Sequence, residues 1–379
     1  MDVHADPLDL LRERTSEKWT TYPSEVLPLF VAEMDYPLSP VVAQAMIDRI
    51  LASDTGYVGS PAPVGEAFAG FASRRWGWDV APATVFTTTD VSVAIVETLR
   101  QAIAPGDAVV VCSPVYPPFF ELPVEAGGIV VDVPLLGAGP QGGQLDLAAL
   151  EVAFAAGARA FLLCNPHNPL GLVHGQATLA AVADLALKYG VTVVSDEIHA
   201  PLVHSTATFT PYLSVSDAAR ATGVCVTSAS KAFNLAGVKC AVMVAHGGRP
   251  LELLTTMSDE VLWRTSILGL HASVAAFTHG DEWLDGIIAA IEHSSDLLAT
   301  LIAERLPGVI YHLPDASYLA WLEFPAEWGA DPAALALSRG VALASGVDFG
   351  SPGFARLNFA CAPDVLTEAI TRLTLTLGA

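Results

Sequence analysis

The chain has 379 residues, 18 Lys+Arg against 40 Asp+Glu for a formal net charge of −22, 52% apolar residues and 15% charged ones. So acidic a chain lacks the basic face with which a nucleic-acid binder displaces counterions, and it is disfavoured at an anionic membrane surface. Its apolar content excludes intrinsic disorder, and its length is too great for one minimal domain.

The first residues, Met1-Asp2-Val3-His4-Ala5-Asp6, lack a basic and an apolar region, so no signal peptide is expected. The first 40 residues are irregular and proline-containing, and read as an arm or a cleft wall. From about residue 85 onward, short Val-rich apolar runs alternate with helical patterns. Strands are expected at 108–112, 129–133, 160–164, 191–195, 224–227 and 240–245, with helices at 91–104, 145–156 and 176–189. Short, nearly all-apolar strands alternating with helices imply a mostly parallel sheet covered on both faces. Beyond this, Trp283, Leu284, Ile287, Ile288, Ile291, Leu298, Leu301 and Ile302 recur at helical spacing. Strand-like runs follow at 318–322 and 356–359, then a terminal helix carrying Leu366, Ile370, Leu373 and Leu377. That change of character implies a smaller α+β domain.

Gly, Pro, Asn or a charge interrupts the apolar runs at short intervals, so no spanning helix of ~20 apolar residues is expected. The five cysteines, Cys112, Cys164, Cys225, Cys240 and Cys361, are scattered without a CxxC and read as reduced core residues of a cytoplasmic protein. Gly137-Ala138-Gly139-Pro140-Gln141-Gly142 matches GxGxxG, but Pro140 and the absence of a helix directly after it make it a surface loop. His199 and His204 lack the accompanying carboxylate pattern of a metal site, so no metal is expected.

Ligands of open α/β sheets bind beyond the carboxyl ends of the strands. There the sequence places Asn165-Pro166-His167-Asn168-Pro169-Leu170-Gly171, then Asp196-Glu197-Ile198-His199, then Ser228-Ala229-Ser230-Lys231-Ala232-Phe233-Asn234. An amide, a carboxylate and a lysine flanked by hydroxyls thus converge on one edge. Lys231 is one of only four lysines, with Lys18, Lys188 and Lys239, and it sits among apolar residues. Desolvation lowers a lysine's pKa and makes it a nucleophile for Schiff-base chemistry.

These segments resemble the fold-type I pyridoxal-phosphate enzymes of the class I/II aminotransferase superfamily, and within it the cystathionine β-lyase (C–S lyase) subgroup of the MalY/PatB type. The likeness extends to Phe30-Val31-Ala32-Glu33-Met34-Asp35-Tyr36, Ser113-Pro114-Val115-Tyr116-Pro117-Pro118-Phe119 and Ala355-Arg356-Leu357-Asn358-Phe359, and it spans nearly the whole chain. It implies an N-terminal arm over 1–45 packing with the small domain, a large cofactor-binding domain over 46–275 and a small domain over 276–379.

The resemblance also implies site roles. Lys231 would carry pyridoxal 5'-phosphate as a Schiff base and act as the base at the substrate Cα. Asp196 would pair with the pyridine nitrogen, while Asn168 and His199 would stand at the ring hydroxyl. Tyr116, counted with Lys231 as catalytic, would stack on the ring. The backbone amides of Val91 and Ser92, at a helix start, would hold the phosphate together with Ser228, Ser230 and Lys239. Asp90, where relatives often have glycine, can cap that helix, but its charge is unfavourable beside a phosphate. Tyr57 would reach the phosphate from a second subunit, which implies a homodimer. Arg356 would clamp the substrate carboxylate, with Tyr36, Leu38 and the Trp263-Arg264 region shaping the side-chain pocket. The implied activity is β-elimination from L-cystathionine or another cysteine S-conjugate. Transamination uses the same residues, and a regulatory binding role on the same fold is the alternative from another class.

Overall fold

A computed structural model describes residues 3–139 and 142–374. The Pro140-Gln141 part of the GxGxxG stretch and Leu377 of the expected terminal helix lie outside the described residues. The large sheet has seven strands: β1 (Val85–Thr88), β2 (Ala108–Val111), β3 (Ile129–Asp132), β4 (Ala160–Cys164), β5 (Thr192–Asp196), β6 (Gly223–Thr227) and β7 (Ala241–Val244). Their order is β1-β7-β6-β5-β4-β2-β3. Strands β2 to β6 pair in parallel, and β7 runs antiparallel to both β6 and β1.

The sheet separates two apolar layers because its side chains alternate between faces. Leu162, Val194 and Val226 pack with Val91, Ile95 and Leu99 on one face. Phe161, Leu163, Val193 and Cys225 pack with Leu179 and Val182 on the other. Strands β4 to β7 are buried throughout and mostly apolar, with Thr192, Ser195, Asp196 and Thr227 as their polar residues. Two expectations are corrected. β3 is an edge strand with Ile129 58% exposed, so it is not covered on both faces. β1, whose threonines give it a weak apolar signal, extends the sheet on the far side of β7.

The helices α1 (Pro40–Leu51), α2 (Ala62–Trp76), α3 (Val91–Ala102), α4 (Leu147–Ala155) and α5 (Gln176–Tyr189) precede the middle of the chain, and α6 (Ile267–His279) follows the large sheet. Next comes α7 (Asp281–Arg305), 25 residues long and apolar enough by length and composition to cross a membrane. Its apolar stripe, including Leu284, Ile287, Ile291 and Leu298, is buried in the main core. The second sheet is antiparallel, in the order β8 (Ile310–Tyr311), β9 (Leu319–Glu323), β11 (Phe354–Asn358), β10 (Ala344–Ser345). The last described helix is α8 (Pro363–Thr374), with Leu366, Ile370 and Leu373 buried.

The N-terminal segment is tied to both sheets. Leu27–Pro28 pairs in parallel with Val341–Ala342. Asn358 Nδ2, from the end of β11, donates to the carbonyls of Val31 and Glu33, each at 2.7 Å. Asn234, just after Lys231, accepts from Met34 N at 3.1 Å and donates to Met34 O at 2.9 Å. Beneath this stretch Lys18 and Asp35 form a buried ion pair at 2.6 Å.

Candidate active site

The carboxyl ends of β1, β4, β5 and β6 open onto a cavity of about 470 Å³, closed on one side by Phe30 to Glu33 of the arm. That volume lies within the usual range for small-molecule sites. Lys231, in the loop after β6, lines this cavity, and its Nζ donates to Ala32 O at 2.9 Å. Burial, reinforced by the Arg356 charge, lowers its pKa to about 8. The amine is therefore far easier to deprotonate than an ordinary lysine. Tyr318, next to β9, donates to the same Ala32 carbonyl at 3.0 Å and meets His199 edge-to-face.

Asp196 ends β5 and also faces the cavity. Desolvation pushes its carboxyl up to about 7, against the Ile198 N–H bond and the Lys231 charge, which both lower it. His199 follows at the same edge. Burial first, then the charges of Lys231 and Arg356, lower its pKa to about 3, so it is neutral, and its buried Nδ1 has no hydrogen-bond partner among the described residues. Asn168 is held by its own amide N–H, which donates to Cys164 Sγ at 3.3 Å, and by Arg356 Nη1, which donates to its Oδ1 at 3.0 Å.

The turn that carries Asn168 needs Gly171. With φ at +66°, a Cβ there would lie 2.3 Å from Pro314 Cβ and 2.8 Å from Ala316 O.

Arg356 comes from the middle of β11 and is only 5% exposed. Besides Asn168 it donates to Phe30 O at 3.1 Å, and its guanidinium lies 4.9 Å from the Phe349 ring centroid. Its Nε is buried without a hydrogen-bond partner among the described residues. Burial lowers its pKa to about 10, so it remains cationic at neutral pH. Tyr116, after β2, lines the cavity and is 36% exposed. Its phenol is shifted upward, chiefly by burial, and keeps its proton.

At the other end of the cavity, α3 points its N-terminus inward, with Val91 and Ser92 in the lining. Asp90 caps this helix by accepting from Val93 N at 3.0 Å, and Lys239 Nζ meets its other oxygen at 3.1 Å. The carboxylate that the sequence left in question is thus both a cap and half of an ion pair. Ser228 Oγ donates to Cys240 O at 2.7 Å and accepts from Ser230 N at 3.0 Å, fixing the loop before Lys231. Lys239 sits at φ +56°, and its carbonyl accepts from Ser266 N at 3.0 Å. Gly269 of α6 permits that approach: a Cβ there would lie 2.1 Å from Val238 O.

Of the residues singled out from the sequence, eleven line this cavity: Lys231, Asp196, Asn168, His199, Tyr116, Val91, Ser92, Ser228, Ser230, Lys239 and Arg356. Tyr36 does not. Its ring is buried in a separate pocket with Ser294 and Cys361, just past the point where Asp35 N donates to Ala360 O at 2.9 Å, and of this stretch only Phe30 to Glu33 line the cavity. Tyr57 is 95% exposed and lines no part of its own chain's cavity. Leu38, Trp263 and Arg264 are likewise outside the lining. Glu17, Glu33, Cys164 and Cys240 are in it and were not singled out as site residues. Glu17 and Glu33 belong to the irregular arm, where no periodicity signals which residues turn inward.

The model for aminotransferase class I and II matches residues 24–373. A provisionally named cystathionine beta-lyase of Mycobacterium leprae (strain TN) is 40% identical over 400 residues, covering 97% of this chain and 96% of that protein. Cystathionine beta-lyase PatB of Bacillus subtilis (strain 168) is 32% identical over 369 residues, covering 94% and 93%. Among solved structures, a provisionally described PLP-dependent beta-cystathionase from Corynebacterium diphtheriae superposes with a TM-score of 0.94 at 34% identity, covering 100% of this chain and 99% of that one.

Proposed function

The chain belongs to the class I and II aminotransferase family, and from that premise we propose that it is a pyridoxal 5'-phosphate-dependent carbon–sulfur lyase acting on L-cystathionine. The observation that carries the reading is the pairing, in one cavity, of a desolvated Lys231 amine with a buried Arg356 guanidinium that has an unpartnered Nε.

The donor set suits pyridoxal 5'-phosphate. The α3 N-terminus, Ser228, Ser230 and Lys239 offer amides, hydroxyls and a cation to a phosphate. Asp196, desolvated at the cavity floor, offers a carboxylate that a protonated ring nitrogen would return to its charged form. His199 Nδ1 and Asn168 offer polar atoms to a ring hydroxyl. When bound, the cofactor supplies an electron sink for the charge that develops at Cα.

The chain's own residues do the rest. Arg356 holds the substrate α-carboxylate through its planar fork and so fixes which bond at Cα faces Lys231. Lys231, whose lowered pKa of about 8 makes its free amine far more accessible than that of an ordinary lysine, takes the Cα proton. Tyr116 offers a flat aromatic wall. Departure of the Cβ thiolate then yields homocysteine, and hydrolysis of the remainder gives pyruvate and ammonia.

The division into arm (1–45), large domain (46–275) and small domain (276–379) is part of this reading, supported by the two separate sheets. So is a homodimer in which Tyr57 enters the partner's cavity. Exposed Val41, Ile47, Ile50 and Leu51 on α1, at 41 to 78% exposure, give an apolar surface near Tyr57 in sequence. Five free, buried cysteines suit a reducing cytoplasm.

Incubation of the holoenzyme with L-cystathionine tests the reading. Free thiol and pyruvate without any added keto acid support it, whereas product formation only with a keto-acid acceptor makes the protein an aminotransferase.

A further inference from the structure

We propose that Tyr318 is a positioning residue for Lys231: its phenol holds the Ala32 carbonyl on which the free amine rests, and limits how strongly that carbonyl binds the protonated amine. The inference rests on the reading of Lys231 as the base at Cα and names a second residue that serves it. Lys231 Nζ donates to Ala32 O at 2.9 Å, and Tyr318 Oη donates to the same oxygen at 3.0 Å. A carbonyl oxygen has two lone pairs, so these two donors fill it. Tyr318 is 1% exposed and does not line the cavity, so its hydroxyl reaches Lys231 only through Ala32 O.

The phenol is fixed from its own side. Ser317, just before it, has φ +73°, a left-handed conformation that residues other than glycine seldom adopt. Two bonds hold it there: Ser317 N donates to Leu202 O at 2.9 Å, and His204 Nε2 donates to Ser317 O at 2.7 Å. Tyr318 O accepts from Phe359 N at 2.9 Å, and the ring meets His199 edge-to-face. The Ala32 peptide is held independently of the phenol. Asn358 Nδ2 donates to Val31 O and Glu33 O on either side of it, and Arg356 Nη2 donates to Phe30 O. Removing the hydroxyl therefore leaves Ala32 O in place with one lone pair open.

That change has a sign. The Tyr318 O–H turns the positive end of its dipole toward the oxygen that the Lys231 ammonium also uses, so it opposes protonation of the amine. Arg356 on β11 opposes it too, while Glu33 and Glu17 of the arm and Asp196 at the end of β5 favour it. His199 is neutral and Tyr318 keeps its proton, because burial lowers the first and raises the second. A neutral amine that gives one N–H to Ala32 O keeps its lone pair for the Cα proton, so the carbonyl also sets where that lone pair points.

The test uses Tyr318→Phe and, as a second variant of nearly the same shape, replacement of Tyr318 by 3-fluorotyrosine, a stronger donor. In the cofactor-free chain, the pH midpoint for reductive methylation of Lys231 is expected to rise by about half a pH unit in Tyr318→Phe and to fall in the fluorotyrosine protein. In the holoenzyme near neutral pH, kcat on L-cystathionine falls about threefold in Tyr318→Phe, the loss of free amine that half a pH unit implies. KM changes little, and the isotope effect from deuterium at the substrate Cα increases. A midpoint that moves in neither variant, or falls in Tyr318→Phe, overturns the inference, and so does a loss confined to KM with an unchanged isotope effect. If Tyr318→Phe does not fold, the fluorotyrosine protein decides by the direction of its midpoint. If the wild-type holoenzyme releases no pyruvate from cystathionine, the lyase reading fails, while the Lys231 midpoints still decide the role of Tyr318.

Discussion

Replacing Lys18 by Met is expected to destabilise the arm in a pH-dependent way. Lys18 and Asp35 have side chains 0% and 1% exposed and meet at 2.6 Å. At an effective dielectric of about 20, that separation is worth about 6 kcal/mol of gross attraction, which desolvation of both ions largely offsets. Removing one partner leaves the other buried, and the usual cost is about 3–5 kcal/mol. The loss is felt differently at different pH. Even with Lys18 present, burial raises the Asp35 pKa above 3.8. Without Lys18 it rises further, so the folded variant retains a proton that the unfolded chain releases as pH climbs past 3.8. Stability therefore falls with rising pH up to the folded pKa, by about 1.4 kcal/mol per pH unit. The deficit relative to wild type should be small near about pH 4 and grow toward neutrality, as read from urea midpoints across that interval. A second variant, Lys18→Met/Asp35→Leu, should recover much of the loss and flatten the pH dependence. A Lys18→Met protein as stable as wild type at neutral pH, or a double variant no better than the single one, would refute the reasoning.

Other expectations follow from the site. Lys231→Ala should abolish covalent cofactor attachment and turnover, read from the absorbance spectrum and pyruvate release, and a borohydride-reducible linkage surviving in that variant would sink the assignment. In cofactor-free protein, reductive methylation of Lys231, followed by mass spectrometry, should rise through about pH 8, whereas an ordinary lysine titrates near 10.5. Gly269→Ala forces Val238 O away from a Cβ that would sit at 2.1 Å, and so displaces the Lys239 loop. A weakening of cofactor binding by about a hundredfold is in line with a displacement of about 1 Å at a positioned group. Cofactor affinity unchanged in that variant would show that the loop does not position the site.

Much of this molecule is legible in the sequence where one physical cause dominates. The strands at 160–164 and 224–227 are read correctly because burial on both faces admits little but apolar residues. Helix α5 is found with both ends right, Gly190 stopping it in the left-handed conformation. The polar residues at the carboxyl ends of β4, β5 and β6 stand out against those apolar runs, and parallel topology brings them together. Other features have several causes at once. β1 carries threonines and lies next to the one antiparallel strand, so it does not read as a buried strand. β3 is apolar, yet it is a half-exposed edge. The arm is held by side-chain bonds to backbone carbonyls, such as those of Asn358 and Asn234, and these leave no periodic trace. That is why the motif around Tyr36 points to the cavity although its ring lies elsewhere, while Glu17 and Glu33 carry no such signal.

The most direct measurement is a product count on L-cystathionine with the purified holoenzyme and no keto acid present. Homocysteine, pyruvate and ammonia are expected in equal amounts, matching the cystathionine consumed and absent with Lys231→Ala. Consumption that stops after one cofactor equivalent, and resumes only when a keto acid is added, would contradict the lyase reading.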